Sequence, residues 1–116
     1  MLRIAAEEDV SAMLSIYRPY VLTSTATFEY DPPSEEEFLR RYHDITAQFP
    51  WLLWEEDGQI LGYAYASLPF TRAAYAWCAE PTIYLKSQAW GKGIGKALYD
   101  ALEAILDAEH PNWRDK

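Results

Sequence analysis

The chain is short of positive charge: 10 Lys and Arg stand against 18 Asp and Glu, for a net charge of −8. That deficit argues against a general nucleic-acid or anionic-membrane surface. Cysteine is scarcer still. Cys78 is the only one, which excludes a disulfide framework and any multi-cysteine zinc site. No apolar run approaches the ~20 residues of a membrane span, and the start Met1-Leu-Arg-Ile lacks the form of a signal peptide. These absences set the expectations of a cytoplasmic protein, with no metal, no membrane and no nucleic-acid partner. What the chain does have is apolar substance. Half of its 116 residues are apolar and 16% are aromatic, so residues 1–116 are expected to fold as one domain around a real core.

One segment reverses the charge balance. From Pro81 to Tyr99 the chain carries Lys86, Lys92 and Lys96 and no acidic residue. Inside it stands Gln88-Ala-Trp-Gly-Lys-Gly-Ile-Gly-Lys-Ala-Leu98, after the β-rich run Pro81-Thr-Ile-Tyr-Leu-Lys86 and before an apolar pattern of helical period. A strand, a glycine-rich turn and a helix start together make an anion site. Backbone N–H groups converge, the helix dipole adds partial positive charge, and no side chain blocks close approach. The spacing excludes the two common phosphate motifs. A dinucleotide fingerprint needs Gly-x-Gly-x-x-Gly at the start of a βαβ unit, and a P-loop needs Ser or Thr after its lysine. Here Gly91, Gly93 and Gly95 alternate, and neither Ser nor Thr follows Lys96. A turn that merely reverses the chain is the plainer alternative.

The remaining pattern predicts the order β-α-α-β-β-β-α. Leu2 to Ala5 reads as a strand and Glu7 to Leu22 as a helix that Pro19 ends or bends. Ser34 and Glu37 form a capping box opening a helix to about Gln48. Trp51–Glu55 and Gln59–Ser67 read as strands joined by a hairpin turn at Asp57-Gly58. Ala76 to Lys86 reads as a longer strand and Gly93 to Glu109 as an amphipathic helix. Pro81 suggests a bulge or an interrupted ladder.

The glycine stretch resembles the acetyl-CoA loop of the GNAT N-acetyltransferase superfamily, Gln/Arg-x-x-Gly-x-Gly/Ala. Two frames fit: Gln88-Ala-Trp-Gly91-Lys-Gly93, and Trp90-Gly-Lys-Gly93-Ile-Gly95, which the helix start favours and in which Trp90 replaces the usual Gln or Arg. Within the superfamily the chain is similar to the phosphinothricin-type acetyltransferases. Ile16-Tyr17 with Val21 to Glu29, then Gly58 to Ala64, then Ala74 to Leu85, occur in the family's order ahead of the loop. The resemblance implies an α/β (α+β) fold with a mixed, mainly antiparallel central sheet flanked by helices, lacking the family's C-terminal strands. It implies acetyl-CoA as acetyl donor and the primary amine of a small amino acid, such as phosphinothricin or methionine sulfone, as acceptor. The family's cofactor-contacting Asn and its Tyr acid fall outside the matched positions. The central strand would then be an exposed edge, which recruits partners, so a homodimer or higher oligomer, or a longer parent chain, is expected. The alternatives are a non-catalytic acyl-CoA-binding or interaction module and a peptide-binding N-terminal acetyltransferase.

Acetyl transfer from a thioester needs a base for the amine, a held and polarised carbonyl, and help for the departing thiolate. Glu80, an acid inside an otherwise apolar strand, is the candidate base, since burial raises a carboxyl pKa toward a useful range; a Glu on a solvent face is the alternative. By resemblance, Ile83, Tyr84 and Leu85 offer main-chain groups to the pantetheine arm and the acetyl carbonyl. Gly91, Lys92, Gly93, Ile94, Gly95 and Lys96 would hold the diphosphate. Thr25, Phe28, Glu29, Phe70, Arg72 and Tyr75 lie on two loops that would face the substrate, where Arg72 suits a carboxylate; a solvated arginine and a core Phe28 are the plainer readings. His43, His110 and Cys78 are given no role.

Overall fold

A computed structural model describes residues 1–23, 31–67 and 80–109, with Thr23 and Glu80 described in main chain only. The elements are β1 (Leu2–Ile4), α1 (Val10–Thr23), α2 (Glu35–Thr46), β2 (Trp51–Glu56), β3 (Gln59–Ser67), β4 (Glu80–Leu85) and α3 (Ile94–Glu109). Single 3-10 turns at Glu7–Asp9 and Ser87–Ala89 precede α1 and α3. The four described strands form one sheet in the order β1-β2-β3-β4, antiparallel throughout. The predicted element order holds, and an α/β sheet flanked by helices is the observed architecture.

The pleat sorts the core into two layers. Trp51, Leu53 and Tyr63 point to one face and pack with Met13, Leu14, Ile16 and Tyr17 of α1 and Phe38 and Tyr42 of α2. Leu52, Ala64 and Ala66 point to the other and pack with Ile94, Leu98, Leu102 and Leu106, the 3.6-period stripe of α3. An irregularity at Trp54/Glu55 sets two β3 residues, Leu61 and Gly62, against one of β2. It reverses the alternation upstream, so Ile60 joins the first layer and Leu61 the second. The expected hairpin turn is present, with Asp57 and Gly58 both at positive φ (52° and 76°), as a two-residue turn matching strand twist requires.

Several local expectations change. The start of α1 is a 3-10 turn because the Asp9 carboxylate accepts the Ala6 N–H at 2.7 Å and both Arg3 guanidinium arms at 2.8 Å, drawing the turn tight. Pro19 does not end α1, which runs on to Thr23. The carbonyl that Pro19 deprives of a donor belongs to Ser15, which is exposed and can bond water, while buried Ile16, Tyr17 and Val21 hold both sides of the proline to the core. Ser34 Oγ caps α2 by accepting the Glu37 N–H at 3.0 Å. The Glu37 carboxylate turns to Arg40 and Arg41 instead of back to the cap, leaving the box half made. Pro81 makes no bulge: it sits in an unbroken β3–β4 register opposite Ala66.

Candidate coenzyme site

The site is built around the end of β4. In an antiparallel ladder, residue pairs alternate between those that exchange hydrogen bonds and those that do not. Lys86 N–H donates to Leu61 O at 2.9 Å, one step beyond the pair Leu85–Gly62. Counting back, Tyr84 and Thr82 bond to β3, while Leu85, Ile83 and Pro81 turn their main-chain groups outward. β4 is the last strand of the described sheet, so those groups lie on its open margin. Pro81 is tolerated there because its missing N–H costs no ladder bond. Of the three residues expected to offer main-chain groups, Ile83 and Leu85 are so placed. Tyr84 is not: its peptide groups face Tyr63, and its ring packs edge-on against Tyr17 and Tyr20 at 5.1 and 5.0 Å.

Leu85 is held on all sides. Its Cδ2 lies 2.3 Å from where a Cβ on Gly62 would stand, and its Cδ1 3.3 Å from that of Gly95. Two glycines thus make the slot for this side chain, and the missing Cβ of Gly95 lets the start of α3 come close to the strand end. The Leu85 carbonyl accepts the Tyr20 hydroxyl at 2.5 Å.

From Leu85 the chain passes through the Ser87–Ala89 turn, whose Ala89 is buried, into the glycines. Gly91 and Gly93 adopt positive φ (77° and 78°), a region that side chains disfavour. The Trp90 N–H is taken by Ser87 O and the Ala97 N–H by Gly93 O. Between them, Ile94, Gly95 and Lys96 form the first turn of α3, where the helix has no carbonyl to offer their N–H groups. These donors, with the positive end of the α3 dipole, suit an anion. Lys92 is exposed. The Lys96 ammonium instead pairs with Asp100 at 2.7 Å, and that bond pushes its pKa up; both groups are well exposed, so the pair contributes little to stability.

A cleft of about 370 Å³ lies beside this strand end, between Ser15, Ile16, Pro19 and Tyr20 of α1 and the stretch Leu85, Lys86, Ser87, Gln88 and Trp90. The glycine turn continues from its Trp90 end. None of the α1 residues was among the expected site residues. Tyr20 carried a signal: it sits at the margin of the apolar stripe three residues from Tyr17, where an aromatic with a polar tip seeks a partner. Glu80 starts β4, paired with Ser67. Thr25, Phe28, Glu29, Phe70, Arg72 and Tyr75 lie outside the described residues, as do Cys78 and His110. His43 is a surface residue 3.7 Å from a Glu7 carboxylate oxygen.

The sequence profile of the acetyltransferase (GNAT) family matches residues 10–111. The chain belongs to the GNAT acetyltransferase family. It is 37% identical over 113 residues to a phosphinothricin N-acetyltransferase of Alcaligenes faecalis, covering 97% of this chain and 56% of that protein. It matches the crystal structure of a GNAT superfamily phosphinothricin acetyltransferase from Sinorhizobium meliloti in complex with AcCoA, with TM-score 0.87 and 43% identity, over 93% of this chain and 60% of the other. A ribosomal-protein-alanine N-acetyltransferase from Brucella melitensis matches with TM-score 0.86 and 28% identity, over 95% and 69%. The chain therefore spans less than two thirds of the length of the two phosphinothricin acetyltransferases. Among the described residues of this GNAT domain, no helix is long and apolar enough to cross a membrane, and no group of three or more His, Cys, Asp or Glu is placed to hold a metal.

Proposed function

We propose that this GNAT domain binds acetyl-CoA along the open margin of β4 and transfers its acetyl group to the primary amine of a small amino acid or analogue, phosphinothricin and methionine sulfone being the model acceptors. The observation that carries this is the continuity of three features. Outward main-chain groups on Ile83 and Leu85 lead, through a cleft beside Tyr20, into a positive-φ glycine turn and the open N-terminus of α3. Each suits one part of the coenzyme: the margin an arm of secondary amides, and the turn a diphosphate.

When bound, acetyl-CoA supplies an activated acyl group as a thioester. The chain supplies the binding groups and the base, and the coenzyme A thiolate that leaves takes its proton from water. The outward N–H groups of Ile83 and Leu85 hold the arm and polarise a carbonyl laid against the strand. The first-turn amides of α3, with Gly91, Lys92 and Gly93, hold the diphosphate. In the same proposal, Glu80 takes the proton of the attacking amine through a bound water. Thr25, Phe28, Glu29, Phe70, Arg72 and Tyr75 contact the acceptor, with Arg72 gripping its carboxylate. A cytoplasmic setting accords with the single cysteine. Association into a homodimer or higher oligomer is supported by the apolar side chains of Leu22 and Trp90, which are 67% and 60% exposed; light scattering checks it.

Calorimetric titration with acetyl-CoA tests the site, and saturable binding is expected. A thiol-release assay over phosphinothricin, methionine sulfone, other free amino acids and an alanine-terminated peptide tests the reaction. Preference for the peptide would move the acceptor to a protein N-terminus, and binding without thiol release for any amine would leave a coenzyme-binding module.

A further inference from the structure

We propose that Tyr20 is a positioning residue of the coenzyme margin: its hydroxyl, by holding the Leu85 carbonyl, fixes the peptide that follows Leu85 and so anchors the strand end from which the Leu85 N–H, carried by the preceding peptide, points outward. The inference rests on the coenzyme site proposed above and names a residue whose role there is set by one long-range bond.

The geometry is local. The Leu85 C=O and the Lys86 N–H belong to one planar peptide unit and point in opposite directions. On the inner side, Lys86 N–H donates to Leu61 O of β3 at 2.9 Å. On the outer side, Leu85 C=O accepts from Tyr20 of α1 at 2.5 Å. The unit is therefore clamped from both directions where the chain leaves the sheet. The side chain is clamped too, between Gly62 and Gly95. Without the Tyr20 hydroxyl, the outer carbonyl would have only solvent, and the peptide could tilt by the few tens of degrees that a strand end permits.

The clamp also edits the margin. Pro81 lacks an N–H, and Tyr20 occupies the Leu85 carbonyl, so the outward donors of β4 are the N–H groups of Ile83 and Leu85, and its outward acceptors without a partner among the described residues are the carbonyls of Pro81 and Ile83. A ligand arm laid along β4 meets that fixed pattern. Tyr20 stands at the wall of the cleft with its ring edge against Tyr84 at 5.0 Å, so ring and hydroxyl are separable. The ring packs, and the hydroxyl orients.

The test is Tyr20→Phe, which keeps the ring and removes the hydroxyl. Acetyl-CoA and ADP are titrated calorimetrically into the full chain; ADP carries the diphosphate without the pantetheine arm. Loss of one oriented hydrogen bond corresponds to about a fivefold weakening of acetyl-CoA binding, with ADP binding unchanged. A second variant, Tyr20→Leu, removes the ring as well and is expected to show the same acetyl-CoA loss with a lower melting temperature. The proposal is overturned if either variant binds acetyl-CoA as the parent does, or if acetyl-CoA and ADP weaken together. A parent chain that binds neither ligand overturns the coenzyme site itself, and the role of Tyr20 with it.

Discussion

Replacing Gly62 with alanine tests how tightly the sheet and the coenzyme margin are coupled. A methyl at that position would stand 2.3 Å from Leu85 Cδ2, 3.1 Å from the Tyr84 carbonyl oxygen and 3.5 Å from Leu85 Cα. Comfortable carbon contacts are ~3.5–4.0 Å. The leucine tip can rotate, but its other methyl already fills the space above Gly95, and the carbonyl is main chain and cannot swing away. Relief must come from a shift of β4 itself. Overpacking of this kind costs about 1–3 kcal/mol, which for a domain of this size lowers the melting temperature by roughly 4–12 °C. Because the shift falls on Leu85, acetyl-CoA binding should weaken as well. Truncating the leucine removes the worst contact, so Gly62→Ala and Leu85→Ala should be coupled. The double variant is expected to be more stable than the sum of the singles by about 0.5–3 kcal/mol. Thermal or urea denaturation of the four proteins measures this cycle. A Gly62→Ala chain that melts with the parent, or singles that add to within about 0.5 kcal/mol, would refute the slot.

Gly93→Ala meets no atom within 4 Å, so its cost is the strained φ alone, about 1–2 kcal/mol by denaturation; an unchanged midpoint would mean that the turn does not need that conformation. Asp9 is buried and bonded to Arg3, which holds its carboxyl below the usual range, with help from the Ala6 N–H. A depressed folded pKa contributes stability that is present above the unfolded value of about 3.9 and lost as pH falls through the folded one. Asp9→Asn should therefore cost roughly 2 kcal/mol at neutral pH and flatten the acid limb of the stability curve; a parallel acid limb sinks the assignment. Glu80→Gln should lower turnover by about a hundredfold or more while leaving the acetyl-CoA dissociation constant within twofold of the parent, within roughly 0.4 kcal/mol. Full turnover in that variant means another group takes the amine's proton.

Much of the fold was legible because it is written locally. The α3 stripe of Ile94, Leu98, Leu102 and Leu106 declares its period, Ser34 announces α2, and Asp57-Gly58 dictates its turn. The glycine stretch was legible as a turn into a helix start, because alternating glycines before an apolar helical pattern permit the positive φ that Gly91 and Gly93 adopt. What could not be read depends on pairing. Whether Ile83 or Tyr84 turns outward is a matter of register, which only the β3 partner fixes. The bond from Tyr20 to Leu85 joins residues 65 apart, and nothing in either local sequence names the other. Pro81 misled for the same reason: a proline signals a broken ladder only when its N–H would have pointed inward. The Lys96–Asp100 pair, by contrast, was available from its i,i+4 spacing.

The missing amide at Pro81 reaches beyond ligand binding. A foreign polypeptide that tried to zip onto β4 would find the row of donors cut short at one end and an acceptor already occupied at the other. Cross-β growth from this border is thereby discouraged. Two copies that met along it would do so through side chains rather than by extending one sheet into the next.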